Sequence, residues 1–179
     1  MPTEPSRPAR LRLGEDACGQ LKPHTKGESM TYNLHPEARA LIESRPTAHL
    51  VTMRPNGRPH VSFIWIDVTD EGQIHFATPP WRIKGKNLAN NPECLLSIQD
   101  SQKNSNGLLR HLLIEGVASI DDDPQHGRDF LDQLFYKYSG GPNTEADDGG
   151  QLLITVEVTR VSGVGPWHTG RTTSIGTPV

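Results

Sequence analysis

From Leu34 onward the apolar positions follow two rhythms, helical in three short segments and alternating in six others. Ala38, Leu41 and Ile42 share one face of a helix that His35-Pro36-Glu37 opens and Arg45-Pro46 stops, as proline suits a first helical turn and disfavours helix just before itself. Ala48–Met53 then reads as a strand, Arg54-Pro55-Asn56-Gly57 as a hairpin turn and Pro59–Val68 as its partner, with Asn-Gly the strongest signal. Thr69-Asp70-Glu71-Gly72 turns the chain again into Gln73–Thr78. Residues 82–90 have helical spacing, and Asn91-Pro92 ends them. Glu93–Gln99 and His111–Asp121 are further strands separated by a polar loop, Ser101–Gly107. Phe130, Leu131, Leu134 and Phe135 mark a helix over Pro124–Tyr138, and Leu152–Val161 is the last strand. Most consecutive strands are joined by tight turns, too short for the crossovers of a parallel sheet. The expected fold is therefore mainly β with short helices: six antiparallel strands curled into a small barrel, with helices plugging its gaps.

Alternation on Pro59–Val68 places His60, Ser62, Ile64 and Ile66 on one face and Val61, Phe63, Trp65 and Asp67 on the other. The bulk of Val61, Phe63 and Trp65 assigns the core to their face. His60 and Ser62 then look outward, on a half-apolar surface that needs cover from a second copy.

Composition narrows the class. The 179 residues suit one domain, and 17 glycines with 15 prolines disfavour a helix bundle. No apolar run approaches the roughly 18 residues of a spanning helix, so no membrane partner is expected. A formal net charge of −3 argues against a general nucleic-acid binder. Cys18 and Cys94 cannot make a disulfide framework, and a reducing cytoplasm is the expected compartment. Residues 1–30 hold four prolines and no periodicity and read as a flexible, dispensable extension, with Met30 as an alternative start. The domain is expected over 31–162, followed by a Gly/Pro-rich tail over 163–179, in which Trp167 and His168 either cover a groove or hang free.

The chemistry concentrates in Ala77-Thr78-Pro79-Pro80-Trp81-Arg82-Ile83-Lys84-Gly85-Lys86-Asn87-Leu88. A strand end, a tight turn and a helix start meet there, with three cations in five residues. Helix N-termini attract anions and repel cations, so basic residues at that end point to an anionic ligand such as phosphate. The residues alone leave a solvated basic face open as well. A regular helix would set Arg82 and Lys84 apart, so their convergence requires Arg82 to lie in the turn. Four strand histidines (His49, His60, His75 and His111) lack the tight spacing of a metal site, and no metal is expected. Asp121-Asp122-Asp123-Pro124 reads as a helix cap rather than a cation site. Hydrolysis by a Ser/His/Asp set has no supporting motif.

Taken in order, Arg54-Pro-Asn-Gly-Arg-Pro-His60, the strand ending at Thr78, Arg82-x-Lys84-x-x-Asn87-Leu88, Asn91-Pro92, Ile114-Glu115-Gly116-Val117-Ala118 and Tyr136-Lys137-Tyr138-Ser139-Gly140-Gly141 carry a resemblance. Over roughly residues 35–162 the chain resembles the pyridoxamine 5'-phosphate oxidase-like flavin and deazaflavin proteins, most closely the branch that uses coenzyme F420. The resemblance implies a split β-barrel and a homodimer with the cofactor in a groove between subunits. It implies an oxidoreductase that passes a hydride between F420 and a small-molecule substrate, with FMN as the alternative cofactor. Carried over by position, Arg82 and Lys84 grip the cofactor phosphate, with Thr78 beside them and Ala77 near the ring. His60 and Ser62 line the groove, Lys86 and Asn87 complete the basic segment, and His111 reaches the cofactor of the partner subunit. For His60 and His111 a surface strand position is the alternative. No side chain is assigned as catalytic, since the cofactor itself carries the hydride. The rival reading is a carrier on the same barrel that holds a flavin, haem or tetrapyrrole without turnover.

Overall fold

A computed structural model describes residues 32–144 and 150–167. The extension over 1–30, Cys18 and His168 lie outside the described residues. In chain order the elements are α1 (Pro36–Glu43), β1 (Ala48–Met53), β2 (Pro59–Ile64), β3 (Asp67–Val68), β4 (Ile74–Thr78), α2 (Ile83–Asn90), β5 (Glu93–Lys103), β6 (Leu109–Asp121), α3 (Pro124–Ser139) and β7 (Leu152–Val164). The strands form one antiparallel sheet in the order β2-β1-β5-β6-β7-β4-β3.

Seven strands replace the expected six because Pro59–Val68 is broken at Trp65-Ile66. The Tyr138 hydroxyl lies 3.0 Å from the carbonyl oxygens of both Pro46 and Ile66, and accepts from the Ile66 N–H at 3.3 Å. A side chain on α3 thus takes backbone groups that a ladder would otherwise use. Trp65 stacks on Tyr138, with centroids 5.0 Å apart, and meets Phe135 edge-on. Two residues therefore carry the chain from one end of the sheet order to the other, which requires the sheet to curl. β2 and β3 do not pair, so the barrel stays open along that seam.

The expected faces of β2 are reversed. The β1–β2 register sets Ile64 opposite Ala48, Ser62 opposite Leu50 and His60 opposite Thr52, so these share the buried face of β1. Ile64 and Ile66 are core residues, whereas Val61 and Phe63 are 55% and 70% exposed. Turn chemistry decides this. Gly57 takes φ +77° and Asn56 Oδ1 accepts from the Arg58 N–H, which pins the register, and a one-residue slip would exchange the faces. Side-chain bulk was the wrong criterion, since the outer face of β2 and β1 is itself apolar.

The polar stretch over 101–107 is a hairpin tip rather than a loop. β5 continues to Lys103 and β6 begins at Leu109, around a turn in which Asn104 Oδ1 accepts from Asn106 and Leu108. Asp123 caps α3 by accepting from the Gln125 N–H at 2.8 Å, and Gly140 ends that helix in the left-handed region. The last strand runs past Val161 to Val164, and Trp167 is 1% exposed within the core. Its ring lies 4.9 Å from the Arg110 guanidinium. Arg110 is in turn held by Glu37 at 2.8 Å and by a close charge contact with Asp100 at 2.9 Å, whose direction misses a true hydrogen bond. Trp167 thus packs inward instead of covering a groove.

Candidate functional site

β4 ends in Ala77 and Thr78, and the chain turns over Pro79–Trp81 into α2. Arg82 is the N-cap, with extended backbone (φ −65°, ψ 146°), so it stands outside the helical rotation. That is the placement its convergence with Lys84 requires. The turn closes by a 3.2 Å bond from the Arg82 N–H to the Pro79 carbonyl. Gly85 is buried against it, and a Cβ there would lie 3.3 Å from the Pro79 oxygen. Among the described residues no side chain caps α2, and its first turn holds no acidic residue, so its N–H groups and positive dipole end have no side-chain acceptor there.

The cations at this end are unbalanced. Burial lowers the Lys84 pKa from its ordinary value, and the charge of Arg82 lowers it further. Among the described residues the ion pairs belong to other cations, Arg39, Arg110, Lys137 and Arg160, together with His126. Thr78, at the strand end before the turn, is fully buried with Oγ1 lacking any partner. Buried hydroxyls are rarely left unbonded. An uncapped helix, two unpaired cations and an orphaned hydroxyl fit a phosphate.

The opposite wall is built through one buried hydrogen bond. Asn87 Nδ2 donates to Thr52 Oγ1 at 2.9 Å, and the two residues are 3% and 1% exposed. Lys84 is one helical turn before Asn87 and shares its face. Across β1–β2, Thr52 sits opposite His60, so the same bond brings Lys84 toward His60. Burial, then Arg54, then Lys84 lowers the His60 pKa. Ser62 Oγ stands 3.4 Å from His60 Nδ1.

The structure thus brings together His60, Ser62, Lys84 and Asn87, with Arg82 beside Lys84. Thr78 lies on the buried face of β4, and Ala77 on the other. Lys86 is exposed, two residues round the helix from Lys84. His111 lies apart. It pairs with Gln99 on the outer face of β5–β6, the side that carries Phe63 on β2, whereas His60 is on the inner face. Within one chain His111 does not join the group. The four strand histidines are likewise dispersed, and no three potential metal ligands gather among the described residues. Thr52 escaped the sequence reading. Its only signal was a hydroxyl at an inward position beside Ala48 and Leu50, on an otherwise apolar face. Arg54 entered the sequence reading only as part of the hairpin turn, and its place near His60 follows from the hairpin register.

An open antiparallel barrel whose basic helix α2 bridges β4 to β1 belongs to the split-barrel class, which is of the flavin-binding oxidoreductase type. The match to the pyridoxamine 5'-phosphate oxidase family extends over residues 34–165. The chain belongs to that family. A solved F420 reductase is 30% identical, with a TM-score of 0.60 over 69% of this chain and 94% of its own. The conserved hypothetical protein Rv2991 from Mycobacterium tuberculosis is 21% identical, with a TM-score of 0.60 over 84% of this chain and 100% of its own. General Stress Protein 26 from Bacillus anthracis is 20% identical, with a TM-score of 0.51 over 70% and 88%. The last two show the fold alone. No curated protein matches the chain. Among the described residues no helix is long and apolar enough to cross a membrane.

Proposed function

We propose that this protein is a coenzyme F420-dependent oxidoreductase, acting as a homodimer in the cytoplasm on a small organic substrate. The observation that carries the reading is the pair Arg82 and Lys84, cations with no ion pair among the described residues, at an uncapped helix start that follows the strand end carrying the orphaned Thr78 hydroxyl. Arg82 and Lys84 would hold the cofactor phosphate with the α2 N–H groups, and Thr78 would donate to it. When bound, the deazaflavin supplies the hydride chemistry. The chain's own residues bind and orient: Asn87 fixes α2 on β1, and His60 and Ser62 present polar groups toward the groove. Arg54, Arg58 and Lys86 would be available to pair with the coenzyme's acidic tail. The likeness to an F420 reductase at 30% identity favours F420 over FMN. A carrier of haem or tetrapyrrole on the same barrel is the non-catalytic competitor, and absorption spectra of the loaded protein separate the two.

Dimerisation rests on the outer face. Phe63 is 70% exposed with its ring 4.6 Å from that of His49, and Val61 is exposed beside it. His111 lies on this face as well, so a second copy seated there would cover it. Fluorescence titration with F420 and FMN tests the site. Arg82→Ala and Lys84→Ala should each weaken binding about 10- to 150-fold, the equivalent of one charge-assisted hydrogen bond. Unchanged affinity in both folded variants would return the cluster to a solvated basic face.

A further inference from the structure

We infer that His60 is the residue through which the site reads the charge of its ligand, taking up a proton from solvent as the anion seats, so that binding and protonation are linked. The inference rests on the proposed anion site.

The geometry supplies an unusual neighbourhood. His60 is on β2, with Ser62 Oγ on its own strand at 3.4 Å. Thr52 faces it across the ladder from β1, with its hydroxyl already accepting from Asn87. Arg54 directly follows β1, its N–H bonded to the Arg58 carbonyl two residues before His60. Lys84 shares the α2 face that Asn87 fastens to Thr52 opposite His60. Among the described residues these two cations, and no carboxylate, act on the ring. Burial, then Arg54, then Lys84 favours the neutral imidazole and holds its pKa below the ordinary value near 6.5. A phosphate gripped by Lys84 and Arg82 brings negative charge that offsets the Lys84 field at the imidazole. The imidazolium then becomes favourable. One proton passes from solvent to a free ring nitrogen, and no bond in the ligand changes.

Linkage sets the sign. The protonated site binds the anion more tightly, by the same factor by which the anion favours protonation. Affinity is therefore highest below the His60 pKa of the free protein. It falls as pH rises between the free and bound values, and levels off above the bound one. Each unit separating the two values corresponds to about a tenfold change in Kd across that window. A neutral ligand would show no such window, so the residue discriminates by charge.

The test is FMN and F420 fluorescence titration from about pH 5 to 8.5 on the full chain, on His60→Asn and His60→Gln, and on Arg82→Ala, with melting curves for each. Ionisation of the ligand itself cancels in the ratio of variant to parent Kd at each pH. That ratio should rise roughly tenfold from high to low pH for both His60 variants. Calorimetry near pH 6.5 in two buffers of different ionisation enthalpy should show greater net proton uptake in the parent than in the variants, the ligand's own proton exchange being common to all three. A ratio flat with pH, or equal proton uptake in all three, overturns the inference. If Arg82→Ala weakens binding while the His60 ratio stays flat, the anion site stands and the inference alone falls. Failure of both ligands to bind, or binding indifferent to Arg82→Ala, overturns the anion site and the inference together.

Discussion

Replacing Thr52 with Val should expose how much of the site depends on one interior hydrogen bond. Valine keeps the volume and branching of threonine but cannot accept from Asn87. The Asn87 amide, 3% exposed and bonded at 2.9 Å in the parent, would then be buried without its acceptor. Stranding a buried polar group costs about 1–3 kcal/mol. For a chain of this size each kcal/mol lowers Tm by about 2–4 °C. The loss should appear as a lower urea midpoint with an unchanged m-value, since the fold and its buried surface are kept. A double-mutant cycle isolates the bond. In an Asn87→Ala background no amide remains to be stranded, so Thr52→Val should cost little, with coupling between the two sites of about 0.5–3 kcal/mol. Equal losses in both backgrounds, or no loss in the parent, would refute the view that this bond fastens α2 to β1.

Two further outcomes follow from packing. Gly116→Ala should destabilise by about 1–3 kcal/mol in the same denaturation assay, because a Cβ would lie 2.6 Å from the Glu157 carbonyl oxygen and 2.5 Å from Val156 Cγ1, forcing the β6–β7 bulge to shift. Parent-like stability would show that the bulge yields easily. Phe63→Asp should convert the proposed dimer to a folded monomer in sedimentation at micromolar concentration, because the side chain is exposed in the single chain and serves only the outer face. A parent that sediments as a monomer, or a variant that stays dimeric, would refute that face as the interface.

The elements were legible because their punctuation is local. Pro36 and Pro124 at helix starts, Asn56-Gly57 at a hairpin and Gly140 past α3 act through backbone preferences that a reader can weigh residue by residue. What could not be read is what depends on distant partners. Trp65-Ile66 looks like the middle of a strand until Tyr138, far along the chain, takes the Ile66 backbone groups. The faces of β2 were misassigned for a related reason: both carry apolar residues, and only the register against β1 tells which one is buried. That error is informative about the site. With the faces reversed, His60 and Ser62 turn toward α2, and the apolar residues Val61 and Phe63 become the surface in need of a partner. The inner face of β2 thus supplies the polar wall of the candidate groove, and the outer face supplies the surface that a second copy would cover together with His111. A single two-residue alternation serves both ends, which is why a strand at the edge of the sheet can carry apolar residues on both faces without belonging wholly to the core.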